Sequence, residues 1–154
     1  HGYWNDPDML VTGEQGLSEA EQKVHFALWC IMSAPLFLGD DPRRMSSAEK
    51  DIVLNRTCIR IDQDPTEQGV RIAKNGYAEI WAKHLKDGSV AVLLLNRDPY
   101  NDRQLTLDFG SVGFSGKVKV RDIYADSYTG TFTGQFSRAI APQSGLFLLI
   151  TKGR

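Results

Sequence analysis

The sequence predicts an α/β segment followed by an all-β segment: strand–helix units belonging to a larger α/β body, then an antiparallel β-sandwich. Three observations carry this. Up to about residue 65, capping boxes and apolar faces of helical period alternate with short apolar runs. From about Val70 the pattern becomes short strand-like segments separated by turn residues. Between them, Asp64-Pro65 marks a change in composition, which divides the chain into 1–65 and 66–154.

In the first segment, the stretch from Tyr3 to Met9 reads as a strand ending in the polar turn Asn5-Asp6-Pro7-Asp8. Ser18-Glu19-Ala20-Glu21 is a capping box: the Ser18 hydroxyl can accept from a free N–H of the first turn while Glu21 reaches back. Val24, Ala27, Leu28 and Ile31 then recur at helical spacing, and Phe26, Trp29 and Met32 add apolar area elsewhere on the surface, so this helix should be covered on more than one side. Pro35 ends it. Pro35-Leu36-Phe37-Leu38-Gly39 is an unbroken apolar run of the kind found in buried parallel strands. Ser46-Ser47-Ala48-Glu49 is a second capping box, opening a helix through about Leu54 with Asn55 as C-cap, and Ile59 to Asp62 reads as extended. Two strand–helix units cannot close a parallel sheet or fill a core, because such sheets are covered on both faces.

In the second segment, Tyr77–His84 alternates and Lys86-Asp87-Gly88-Ser89 is a hairpin turn. Val90–Leu95 is apolar throughout, as in a strand buried on both faces. Gln104–Phe109, Lys117–Tyr124, Gly130–Phe136 and Gly145–Thr151 supply further strands.

Composition narrows the function classes. A formal net charge of -1 offers no electrostatic basis for a nucleic-acid or membrane-surface partner. The longest apolar run, Phe26 to Met32, is far short of a membrane span. Cys30 and Cys58 read as buried thiols, and neither CxxC nor HExxH spacing occurs, which argues against zinc. Asn55-Arg56-Thr57 is a formal glycosylation sequon, a pattern common by chance.

The stretches "WNDPDM", "APLFLG" and "IDQDPTEQG", with "AEIWAKHLKDGSVAVLLLNR" and the closing "SGLFLLI", resemble in order the melibiase-like glycoside hydrolases, the α-galactosidase and α-N-acetylgalactosaminidase family. The resemblance covers nearly the whole chain. It implies the last two strand–helix units of a (β/α)8 barrel, with Trp4–Met9 as the seventh strand and Leu36–Leu38 as the eighth, followed by an antiparallel β-sandwich. A barrel needs ~250 residues, so most of it is expected upstream of His1.

The resemblance further implies a retaining exo-hydrolase of terminal α-linked galactose that works with two aspartates, a nucleophile in a Lys-Tyr-Asp type motif and an acid/base four residues after an arginine. Neither motif occurs here, so no catalytic residue is assigned to this chain and both are expected upstream. Asp8 and Met9 are implied to bind substrate, Asp8 as a carboxylate near the reacting pair and Met9 as an apolar wall. Asn5 and Asp6 are read as bracing the strand end, Trp4 and His25 as packing residues, and Asp40 and Asp41 as rim residues bonding Arg43 and Arg44.

The expected partners are an α-galactoside sugar and the remainder of the barrel, with no cofactor, metal, nucleic acid or membrane. Secreted, periplasmic and lysosomal relatives are all compatible. A competing reading is a carbohydrate-binding or purely structural sandwich; the binding version needs an exposed platform among Trp81, Tyr100, Tyr124 and Tyr128.

Overall fold

The structure is a computed structural model that describes residues 4–153. Three helices, α1 (Glu19–Met32), α2 (Ser47–Val53) and α3 (Arg56–Asp62), precede eight strands: β1 (Val70–Asn75), β2 (Ala78–His84), β3 (Val90–Asn96), β4 (Arg103–Asp108), β5 (Lys117–Asp122), β6 (Ser127–Thr133), β7 (Gln135–Ile140) and β8 (Ser144–Lys152). The strands form two antiparallel sheets, one ordered β1-β2-β3-β8-β5-β6 and the other β4-β7.

The large sheet is apolar on both faces because it separates two cores. Val90, Val92 and Leu94 of β3 join Leu148 and Ile150 of β8 and Val118 and Val120 of β5 against Leu105, Leu107 and Phe136 of the small sheet. The alternate residues Ala91, Leu93, Leu95, Phe147 and Leu149 turn the other way and pack with Phe26, Ala27, Cys30 and Ile31 of α1 and Cys58 and Ile61 of α3. This double burial accounts for the uninterrupted Val90–Leu95 run: each residue meets one core or the other. Helix α1 also has apolar neighbours on several sides, although its most deeply buried residues include Phe26 and Cys30 rather than Val24 and Leu28.

Both capping boxes form. Ser18 Oγ accepts from the Glu21 N–H, and Ser46 Oγ from the Glu49 N–H, while each glutamate accepts from the serine N–H in return. Ser33 then ends α1 in a left-handed conformation. In the strand region, the Lys86–Ser89 turn forms with Gly88 at φ 80°.

Four sequence expectations are corrected. Ile59–Asp62 is helical: Asn55 caps α3, its Oδ1 accepting from the N–H groups of Thr57 and Cys58, and Cys58 and Ile61 bury one face at i, i+3. Asn55 therefore begins α3, and Leu54 is the C-cap of α2. Gly130–Phe136 is two strands, because Gly134 at φ 78° turns the chain between β6 and β7, which lie in different sheets.

Finally, Trp4–Met9 and Leu36–Leu38 are not regular strands. Their pairing is one parallel bridge between Leu10 and Leu38, with the Leu10 N–H donating to the Phe37 carbonyl at 2.7 Å and the Gly39 N–H to that of Leu10 at 2.8 Å. Phe37 is 67% exposed, so the run read as buried is open on one face. Among the described residues each segment has the other as its strand neighbour, and a positive φ at Asp8 interrupts the extended run. The part of the expected strand at Tyr3 lies outside the described residues.

One polar contact joins the helices to the sheet. Lys83 of β2 is fully buried, and its ammonium donates to Ser33 Oγ, to the Ile61 carbonyl at 2.5 Å and to the Asp62 carbonyl at 3.2 Å. Three donors thus meet three acceptors at the C-terminal ends of α1 and α3, where helix dipoles favour a cation. Nearby, Gly69 donates to the Ile31 carbonyl at 2.7 Å, and a Cβ there would overlap Ile31. Glu79, buried on the same face of β2, accepts from Trp81 Nε1 at 2.9 Å and pairs with Arg71 and Arg97.

Replacing Lys83 with Met should destabilise the fold by about 3 kcal/mol, since it strands buried acceptors; urea unfolding measures this. Asp62 is pushed by burial to about pKa 6. Between roughly pH 4 and pH 6 the native state keeps a proton that the unfolded chain has released. Stability should therefore fall as pH rises through that window, and Asp62→Asn should flatten the trend.

Candidate functional site

The segment from Trp4 to Gly13 is held almost entirely through its backbone. The Asn5 N–H and Nδ2 donate to Gln68 Oε1 at 3.1 and 2.6 Å, tying the segment to the linker beyond Pro65. Asp6 Oδ1 accepts from the Asp8 N–H at 3.1 Å, a local Asx turn. That turn holds Asp8 at φ 72°, a left-handed conformation that costs a non-glycine residue roughly 1 kcal/mol and that Asp tolerates better than most. Leu10 is buried in the parallel bridge, the Val11 N–H donates to His25 Nε2 at 3.0 Å, and the Gly13 N–H donates to Gln22 Oε1 at 3.1 Å. His25 and Gln22 are both on α1, so this helix sets the height and direction of the segment.

With these anchors in place, the side chains of Asp8 and Met9 are free to project. Asp8 is exposed and Met9 is 54% exposed. Gly39 crosses Met9 so closely that an added Cβ would lie 3.3 Å from the Met9 Cβ and 2.9 Å from the Leu10 carbonyl oxygen. Asp40 approaches Gly13 in the same way. The two bridged segments thus bring Met9, Glu14 and Gly39 together, with Asp40 against Gly13.

The neighbouring residues have bracing roles. Asp41 binds Arg43 through its backbone N–H, Nε and Nη2, and these hydrogen bonds hold its carboxyl below the usual range. His25 accepts through Nε2, so its proton sits on Nδ1; its ring lies 3.9 Å from that of Trp29, and burial lowers its pKa. Trp4 is 53% exposed rather than packed, and with Ser33, Pro35, Asp62 and Pro65 it lines a cleft of about 390 Å³. Asp62 Oδ2 accepts from Gln63, and its buried Oδ1 has no partner among the described residues. Sequence reading assigned no role to Asp62 or Lys83, although both lie in stretches that carry the family resemblance.

The sandwich aromatics do not assemble into a platform. Trp81 and Tyr124 pack against the helix-side core, and the Tyr124 hydroxyl donates to the Lys23 carbonyl at 2.7 Å. Tyr100 is exposed in the loop after β3, whereas Tyr128 is exposed on the edge strand β6, three strands away from β3. Among the described residues no group of three His, Cys, Asp or Glu side chains converges as a metal would require, and no helix is long and apolar enough to cross a membrane.

Comparison with known proteins bears on the family and the fold. Residues 1–64 match the family described as alpha galactosidase A, and residues 75–150 match the alpha galactosidase C-terminal beta sandwich domain. An α-galactosidase of Oryza sativa subsp. japonica is 38% identical over 153 residues, covering 97% of this chain and 36% of the relative. An α-N-acetylgalactosaminidase of Gallus gallus is 36% identical over 152 residues, covering 96% and 38%. The crystal structure of α-galactosidase I from Mortierella vinacea superposes with a TM-score of 0.89 at 25% identity, covering 96% of this chain and 39% of that one.

The class is thus that of barrel strand–helix elements followed by a C-terminal β-sandwich, and the chain spans less than two fifths of the length of these relatives. Within that class, the chain belongs to the melibiase-like α-galactosidase and α-N-acetylgalactosaminidase family.

Gly39→Ala should displace the Met9–Leu10 segment, because the clash is with a backbone oxygen and cannot be relieved by a rotamer change. The expected outcome is faster hydrogen exchange at the Leu10 and Gly39 amides, with the amides of β3 and β8 unaffected.

Proposed function

We propose that this chain is part of a retaining exo-acting glycoside hydrolase that removes terminal α-linked galactose. Residues 1–65 would close the catalytic barrel and residues 66–154 form its accessory β-sandwich. The observation that carries the reading is the match of the whole chain, in order, to both halves of one hydrolase family.

In a retaining mechanism one carboxylate attacks the anomeric carbon while a second, protonated carboxyl gives its proton to the leaving oxygen. Water then cleaves the glycosyl–enzyme bond, with the second group acting as base. Both groups are assigned to the chain upstream of His1. Asp8 and Met9 are assigned to the substrate pocket. As a carboxylate Asp8 can accept hydrogen bonds from sugar hydroxyls, and its charge would favour the protonated state of a neighbouring acid. Met9 offers a flexible apolar surface for a face of the pyranose ring. The positive φ of Asp8 supports this role, because backbone strain held in place by a local turn is common where a side chain must be aimed.

The sandwich is assigned a structural role. Its large sheet covers α1 and α3 over a continuous core, and the separation of Tyr100 from Tyr128 disfavours a carbohydrate-binding platform.

Hydrolysis of an aryl α-galactoside by the complete polypeptide tests the proposal. Asp8→Asn should lower kcat/KM by roughly 10- to 100-fold, the value of one charge-assisted hydrogen bond. Met9→Ala should act mainly on KM, by several-fold, and the 154-residue chain alone should be inactive. Wild-type activity in Asp8→Asn, or turnover by the isolated chain, would falsify the assignment.

A further inference from the structure

The peptide unit between Leu10 and Val11 is clamped at both ends. Its carbonyl accepts from the Gly39 N–H at 2.8 Å, as part of the parallel bridge, and its N–H donates to His25 Nε2 at 3.0 Å. One end of the clamp is thus a backbone contact and the other a side chain of α1. Two residues on, the Gly13 N–H donates to Gln22 Oε1, so α1 holds the segment through two side-chain acceptors. An amide oxygen accepts at any ordinary pH. An imidazole nitrogen accepts only while it carries no proton.

The surroundings of His25 leave this hydrogen bond as its one fixed polar commitment on the side of Nε2. The ring is half-buried and lies 3.9 Å from that of Trp29, which limits its rotation. The groove beside it is lined by Val24, Leu28 and Leu95, by the uncharged Gln143 before β8, and by two charged groups: Glu21, one turn back on α1, and Arg97, just after β3. Both are engaged elsewhere, Glu21 with Ser18 and Arg97 with Glu79. On the clamped segment the nearest titratable groups are Asp8 and Glu14, three residues to either side of Val11. Burial in this setting disfavours the imidazolium.

On the assignment of Asp8 and Met9 to the substrate pocket, we propose that His25 is their positioning residue: an acceptor latch that holds the Leu10–Val11 peptide while the imidazole is neutral and releases it on protonation. In the imidazolium both ring nitrogens donate, so Nε2–H and the Val11 N–H face each other without an acceptor between them. The peptide must then turn away or the ring must leave, and either weakens the Gly39 end of the clamp. Because burial sets the folded pKa below the ordinary ~6.5, the stabilisation is complete above that value and is lost as pH falls through the folded pKa.

The test follows amide hydrogen exchange in the complete polypeptide from neutral to mildly acidic pH, corrected for the intrinsic effect of pH on exchange, beside an NMR titration of the His25 ring. The Val11 and Gly39 amides should lose protection several-fold with the midpoint of that titration, while the β3 amides stay protected. His25→Gln places an uncharged oxygen near the position of Nε2, and both amides should then stay protected across the range. His25→Leu should expose both at neutral pH and lower kcat/KM for an aryl α-galactoside by roughly 10-fold, with His25→Gln restoring most of it. Wild-type amides that stay protected while His25 titrates would overturn the latch, as would acid exposure that persists in His25→Gln. Unchanged kcat/KM in His25→Leu would overturn its positioning role. The expected exchange in a polypeptide that cleaves no α-galactoside would uphold the latch and remove the functional reading instead.

Discussion

The arrangement of this chain depends on a cation buried where two helices end against a sheet. Lys83 stands on β2, but its three protons go to Ser33 at the end of α1 and to the Ile61 and Asp62 carbonyls at the end of α3. A fully buried ammonium is tolerable only when every donor is matched, and these acceptors are backbone and cap groups that a helix end leaves open anyway. Apolar packing can bring helices and sheet together over a broad area, but it is not directional. The lysine adds direction, fixing where along β2 the two helices stop.

The site inherits its position from this anchor. The Asp8–Met9 segment has one parallel bridge and otherwise hangs on α1 through His25 and Gln22. Helix α1 rests on β3 and β8 through Phe26, Ala27 and Ile31. The chain of support therefore runs from the sandwich sheet, through α1, to the loop that aims Asp8. A β-sandwich remote in sequence thus bears on the geometry of the rim, which gives it a physical role that needs no ligand of its own.

The elements that sequence reading placed well are those specified locally. Each capping box lies within four residues and needs no distant partner, and both formed. The Lys86–Ser89 turn follows from its glycine, and the Val90–Leu95 run from burial on two faces. The misreadings share another cause. Ile59–Asp62 alternates apolar and polar residues over four positions, too few to separate a strand from a short helix, and the deciding contact was the Asn55 cap. Gly130–Phe136 looked like one strand because the turn at Gly134 shows itself only when the two flanking strands enter different sheets.

By itself the sequence determined the fold class, the starts of α1 and α2 and the family, because capping, periodicity and ordered motifs are properties of neighbouring residues. It also placed Asp8 and Met9 as candidates, through a motif and not through geometry. The tertiary structure alone decided that Lys83 is buried, that Asp62 is half-satisfied and that Gly39 admits the Met9 segment. Each of these joins residues far apart in the chain or depends on a clash with a remote atom. The side chain of Lys83 is the same in water as in a core; only its surroundings, assembled from helices fifty and twenty-two residues earlier, turn it into a structural cation.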